Sequence, residues 1–234
     1  MMSTAERRFT RGLVEVRAEG DGEGEQAPPM RIGGYAAKFN KLSRNLGGFV
    51  ERIDPGFFAK SAGDGWPEAM ARYNHDDNML LGTTQGGTLR LAVDGTGLDY
   101  TVDVPAARAD VFELVQRGDV SQSSFAFFTF EDDWSMTDDG FPLRTLLSGR
   151  LVDVAPVNTP AYLDTSTGLR SLAEKAGADL AEVRAAAEGG DLKRFLEPPA
   201  PTVIDLAPEG GQGETHPLLA LRQRRAALLM RRTI

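Results

Sequence analysis

Apolar and polar positions alternate most cleanly between residues 88 and 104. Thr88-Leu89-Arg90-Leu91-Ala92-Val93 alternates, Asp94-Gly95-Thr96-Gly97 interrupts with turn residues, and Leu98-Asp99-Tyr100-Thr101-Val102-Asp103-Val104 alternates again. A period of two puts every second side chain on one face, so the stretch predicts a β-hairpin. Ala109, Phe112, Leu114 and Val115 then recur at near-helical spacing, and Gly118 stands where a helix would stop. This predicts a helix over 106–117. Val120 to Phe130 reads as a strand with aromatic residues on both faces, hence a buried one, with Phe125, Phe127, Phe128 and Phe130 as core. Residues 143–147 and 151–154 predict a further strand pair.

The N-terminal third is less regular. Leu13-Val14-Glu15-Val16 and the segment from Ile32 to Phe39 read as strands on either side of a polar, Gly/Pro-rich loop over 20–29. Phe49 to Ile53 reads as another strand, ending at Asp54-Pro55-Gly56, where a capping Asp and a first-turn Pro open a short helix. Gly86-Gly87 reads as a turn, because no strand–loop–helix arrangement surrounds it to cradle phosphate. Composition shifts after about Leu172: an Ala/Glu-rich helical stretch over 176–196, then a Pro/Gly-rich linker over 198–217. A basic helix candidate over 218–234 follows, whose arginines have no acidic neighbour. That tail reads equally as a solvated end, a removable processing segment or a handle for an acidic surface.

Composition narrows the function. The 234-residue chain is 41% hydrophobic and 26% charged, sufficient for a packed core, and its formal net charge of −8 opposes general nucleic-acid binding. With no cysteine it has no disulfide, thiolate nucleophile or Cys-based zinc site. No run approaches the ~18 apolar residues of a membrane span, and residues 1–9 have no signal-peptide core. The expectation is a soluble cytoplasmic protein.

Nucleophilic chemistry near neutral pH then rests on hydroxyls and imidazole. His216 lies in the polar C-terminal region, which leaves His75 in Tyr73-Asn74-His75-Asp76-Asp77-Asn78. Roughly 45–50 residues later comes Ser121-Gln122-Ser123-Ser124-Phe125. A serine needs a base, and that base needs an orienting acceptor, for which Asp153 is a candidate. On a strand, Ser121 and Ser123 share a face with Phe125 and Phe127, whereas Ser124 shares the other with Gln122 and small Ala126. Two adjacent serines cannot both address one base. The bland alternatives are a solvated His75 loop, hydrogen-bonding strand serines and a structural Asp153. A metal at His75, Asp76 and Asp77 is disfavoured, because adjacent residues rarely share a site.

Several blocks in order carry a more specific signal: Gly33-Gly34-Tyr35-Ala36-Ala37-Lys38-Phe39-Asn40, Ile53-Asp54-Pro55-Gly56-Phe57-Phe58, Tyr73-Asn74-His75-Asp76 and Leu81-Gly82-Thr83. Gly86 to Leu91, Arg117 to Phe127 and Val152 to Tyr162 continue the series. Across residues 30–172 the chain resembles the HK97-type phage prohead (capsid maturation) serine proteases, which are related in fold to herpesvirus assembly proteases. The resemblance implies an α+β, mainly β fold: a herpesvirus-protease-like β-barrel with surrounding helices, here followed by a helical or disordered C-terminal tail. Taken with the composition shift, this gives a protease domain over 1–172, with the resembling blocks in 30–172, a helix and linker over 173–217 and a basic tail over 218–234.

Carried over block by block, the resemblance assigns Ser124 as nucleophile, His75 as general base and Asp153 as the third member. By analogy with the herpesvirus relatives, it suggests Arg144 as an oxyanion contributor. Position 123 is Ser where the family often has Met, position 126 is Ala where Gly is common, and Asp153 stands where Glu is common. The implied activity is a serine endopeptidase that cleaves the scaffolding part of the major capsid protein inside the immature prohead, in the bacterial host cytoplasm. Self-cleavage is expected between Lys175 and Pro217. The implied partners are the capsid protein and further copies of the chain, with no cofactor, metal, nucleic acid or membrane. The rivals are a catalytically inactive scaffold-binding module of the same fold and a serine esterase or amidase.

Overall fold

The computed structural model describes residues 5–10, 14–17, 29–158 and 166–197. The expected loop over 20–29 falls almost wholly outside them, as do the linker and the basic tail. The described chain is mixed α+β and mainly β, built from two curled sheets and few helices.

One sheet runs in the order β1 (Glu6–Thr10), β9 (Gln122–Met136), β10 (Pro142–Val157), β5 (Met70–Arg72), β6 (Leu80–Thr83), and β4 (Val50–Ile53) also pairs with β10. The other runs β2 (Glu15–Val16), β3 (Arg31–Lys38), β8 (Gly97–Asp103), β7 (Leu89–Val93). The expected hairpin is β7–β8, and its turn is held by the Asp94 carboxylate, which accepts from the Thr96 and Gly97 amides. The expected helix is present as a 3-10 turn, Ala106–Arg108, running into α2 (Ala109–Arg117). It stops at Gly118, whose φ of 82° suits glycine. The Asp-Pro-Gly signal starts a turn, with Asp54 accepting from the Gly56 amide, and α1 (Ala59–Gly63) follows it.

Several expectations change, among them the single helix over 176–196, a stretch that instead holds a helix over Leu180–Gly189 and a 3-10 turn over Leu192–Phe195. The anticipated strand pair over 143–154 is one strand, β10, because Ser148-Gly149 is absorbed as a register irregularity against β9 and does not end the ladder. Gly149 is required there by close packing: a Cβ at that position would meet the Phe57 ring at 2.3 Å. Phe125 and Phe127 are core as expected, but Phe128 is only half-buried and Phe130 is 55% exposed, because both lie on the face of β9 opposite to Phe125 and Phe127.

Between the sheets, Phe57, Phe58, Phe125 and Phe127 form one aromatic cluster with centroid spacings of 4.9–5.7 Å. Such pairs add packing energy beyond the area they bury. A second cluster joins Phe49 and Trp134 to α3 (Ser166–Ala176) and α4 (Leu180–Gly189) through Leu172 and Val183. Thus α3 passes through residue 172, where the composition shifts. No helix among the described residues is long and apolar enough to cross a membrane.

Candidate active site

Ser124 lies on β9 opposite Ala155 of β10, and Asp153 is two residues from Ala155 on the same strand. Side chains two apart on a strand share a face, so Ser124 and Asp153 are diagonal neighbours on one face. Such diagonals span about 7–8 Å, a gap that one imidazole can bridge. His75 supplies that ring. Its Nε2 lies 2.6 Å from the Ser124 hydroxyl, and its Nδ1 lies 2.6 Å from one Asp153 oxygen. All three side chains are buried. The methylene that Asp lacks relative to Glu therefore does not prevent contact with the ring.

The ring gets there through an unusual backbone. His75 ends the short turn Tyr73–His75 between β5 and β6, and both Asn74 and His75 have positive φ, 54° and 58°. Asn adopts this region readily, whereas His does so rarely and at a cost. The surroundings hold the turn in place. The Asn74 side chain accepts from the Asn158 amide at 3.1 Å, Tyr73 and Met79 pair through their backbones, and Asp76 accepts from the Asn78 amide.

Ser123 and Ser124 separate as strand alternation requires, whereas Ser121 lies before β9 and does not share the buried position expected for it alongside Ser123. Ser121 is exposed. Ser123 points into the core, where its hydroxyl meets the Tyr100 hydroxyl at 3.2 Å. Burial pushes the Tyr100 phenol well above its ordinary range, so it stays protonated. Gln122 shares the Ser124 face, and its buried side-chain oxygen has no hydrogen-bond partner.

Two features of the site were not legible in the sequence. Arg72, at the end of β5, donates to the second Asp153 oxygen at 3.1 Å and lies 3.0 Å from Asp77. Its place three residues before His75 was the available clue. The other is β1 itself: Ser124 donates a hydrogen bond to the Arg8 carbonyl at 2.7 Å.

Arg144 is placed elsewhere. It is fully buried, and its five N–H groups are all committed: Nε to Asp132, one terminal nitrogen to Glu6 and Glu51, the other to Glu6 and Thr129. It makes no hydrogen bond to Ser124, His75 or Asp153 and has no donor free for an oxyanion in this arrangement. Burial opposes its charge, but Glu6, Glu51 and Asp132 outweigh that and hold its pKa above the ordinary value. Reciprocally, Arg144 holds the Glu6 carboxyl below its ordinary value despite burial. Among the described residues, no group of three or more His, Asp or Glu is arranged to hold a metal ion.

A serine hydroxyl, an imidazole and a carboxylate brought together from two adjoining strands and one turn form an arrangement compatible with hydrolytic acyl transfer. The sequence matches the caudovirus prohead serine protease family over residues 14–177, and the chain belongs to that family. Membership makes it a serine protease of phage head maturation. No curated protein and no solved structure matches it.

Proposed function

We propose that the chain is the endopeptidase that cleaves the scaffolding part of the major capsid protein within the immature prohead, using Ser124, His75 and Asp153. The observation that carries this is the unbroken path from Asp153 through His75 to Ser124, with 2.6 Å at each junction. Ser124 Oγ bonds to the scissile carbonyl carbon while its proton passes to His75 Nε2. The carbon–nitrogen bond then breaks, and the amine leaves with that proton. Water, deprotonated by the same nitrogen, hydrolyses the ester and regenerates the hydroxyl. Asp153 accepts from Nδ1, which fixes the tautomer and offsets the charge that develops on the ring.

The same reading extends to a herpesvirus-protease-like barrel, self-association and self-cleavage between Lys175 and Pro217. Each is supported by the family resemblance and, for the cut, by a Pro/Gly-rich composition that suits exposed backbone. One observation favours the rival reading of a scaffold-binding module without turnover: Ser124 is 0% exposed. Co-expression with the cognate capsid protein separates the two. Wild type should yield capsid fragments and a shortened protease, and Ser124→Ala should yield neither. Fragments produced by the Ser124→Ala protein would exclude Ser124 as nucleophile.

A further inference from the structure

A buried nucleophile cannot meet an external peptide until something moves, and β1 flanks its strand on the side away from β10. β1 and β9 run antiparallel, from Glu6 opposite Phe127 through Phe9 opposite Ser124 to Thr10 opposite Ser123. The carbonyl bonded to the Ser124 hydroxyl is that of Arg8. Adding an extended peptide to a strand edge is a recurrent mode of peptide recognition, and here it brings one carbonyl to the Ser124 hydroxyl. The family match begins at residue 14, beyond β1.

Resting on the serine protease reading above, we propose that β1 occupies the substrate's place. The segment it stands in for is an extended peptide with an acidic and a basic residue at alternate positions, cut directly after the basic one.

The side chains of β1 show the complementarity. Arg8, whose carbonyl faces Ser124, makes a two-pronged contact with Glu51, Nε to Oε1 at 2.7 Å and a terminal nitrogen to Oε2 at 2.9 Å. Its guanidinium also lies 5.7 Å from the centre of the Phe127 ring. Two residues earlier, Glu6 accepts from Arg144 at 2.6 Å and from the Thr129 hydroxyl at 2.6 Å. Glu51, Arg144 and Thr129 belong to β4, β10 and β9, and β10 pairs with both of the others without β1. Glu6 and Arg8 carry opposite charges, so the charges withdrawn from the buried site form a neutral pair, and the strand's third charge, Arg7, is exposed. Arg144 keeps Glu51 at 3.0 Å and Asp132 at 2.6 Å, and no guanidinium is stranded. A substrate bearing the same pair would restore every lost contact.

Hydrogen-bond direction explains why β1 is held and not cut. A hydroxyl carries one proton, and with β1 in place Ser124 donates it to the Arg8 carbonyl, which can only accept. That proton is then directed at the carbonyl oxygen and away from His75 Nε2. A productive substrate leaves the hydroxyl to donate to Nε2 and presents its carbonyl carbon to Oγ. Oγ then bonds to the carbonyl carbon of the basic residue, and the next residue's amine leaves with the proton.

The test compares the full-length protein with the Glu6→Ala/Arg8→Ala double variant, both checked for folding by circular dichroism. Fluorophosphonate modification of Ser124 is timed by mass spectrometry. Each protein is also offered a peptide with the sequence of residues 5–10 and the same peptide with its Glu6 and Arg8 equivalents exchanged. The expected results are at least about tenfold faster labelling of the variant and cleavage of the native-order peptide after its Arg8 equivalent, about tenfold over the exchanged peptide. Equal labelling of the folded proteins, or equal cleavage of the two peptides, overturns the inference and leaves the protease reading standing. Absence of Ser124 labelling in both folded proteins overturns the protease reading and the inference with it. If the double variant does not fold, wild type decides alone. The native-order peptide should slow its labelling at about tenfold lower concentration than the exchanged peptide, and equal potency overturns the inference.

Discussion

Arg72 and His75 divide the Asp153 carboxylate between them: the guanidinium donates to one oxygen at 3.1 Å, and the imidazole meets the other at 2.6 Å. A carboxylate held at both oxygens cannot rotate away from the ring. Arg72 thus acts through Asp153 as a positioning residue. Arg72→Met should lower kcat by roughly tenfold to a hundredfold, the kinetic equivalent of one charge-assisted hydrogen bond, with KM little changed. Arg72→Lys should recover part of the loss. Steady-state kinetics on a cleaved peptide tests this, and an effect confined to KM would contradict it.

Replacing Asp153 with Asn should cost far more. An amide in that place can present its N–H to Nδ1, which leaves the ring in the tautomer that cannot accept from Ser124. A kcat loss on the order of 10⁴ is expected, with melting behaviour close to wild type. A loss of tenfold or less would show that the carboxylate only packs against the ring.

The packing of Gly149 against Phe57 makes a prediction that is independent of the chemistry. Gly149→Ala forces a Cβ into a ring 2.3 Å away, so the ring or the β9–β10 ladder must shift. Destabilisation of about 1–3 kcal/mol is expected, measured by denaturant unfolding. Fluorophosphonate reactivity of the folded fraction should be retained.

Acid sensitivity follows from Asp103. Arg90 bonds it most strongly and Arg31 assists, holding the carboxyl at about 2 against an ordinary 3.8. The folded state therefore gains stability from this group above pH 3.8 and loses it as pH falls through about 2. In thermal melts Asp103→Asn should have a lower Tm than wild type at pH 6, and the gap should close near pH 2. A gap that persists at pH 2 would assign the difference to another cause.

Local chemistry explains what was readable in advance. The β7–β8 hairpin and the Gly118 stop depend on neighbours in sequence, and strand alternation alone set Ser124 apart from Ser123. The linked blocks placed His75, Ser124 and Asp153 in one frame before any distance was known. What stayed hidden depends on remote partners. Glu6 and Arg8 acquire meaning from Arg144 and Glu51, 138 and 43 residues away. Ser148-Gly149 resembles a strand break because the bulge it forms exists only against β9. Arg144, suggested for the oxyanion by analogy with the herpesvirus relatives, is consumed by three carboxylates that only the folded chain assembles.

The central claim is that the hydroxyl at position 124, and no neighbouring one, is activated by His75. Mapping a fluorophosphonate adduct by peptide mass spectrometry in wild type, Ser123→Ala and Ser124→Ala reads this directly. The adduct should sit on Ser124, survive Ser123→Ala and vanish with Ser124→Ala. An adduct on Ser121 or Ser123, or undiminished labelling of the Ser124→Ala protein, would contradict it.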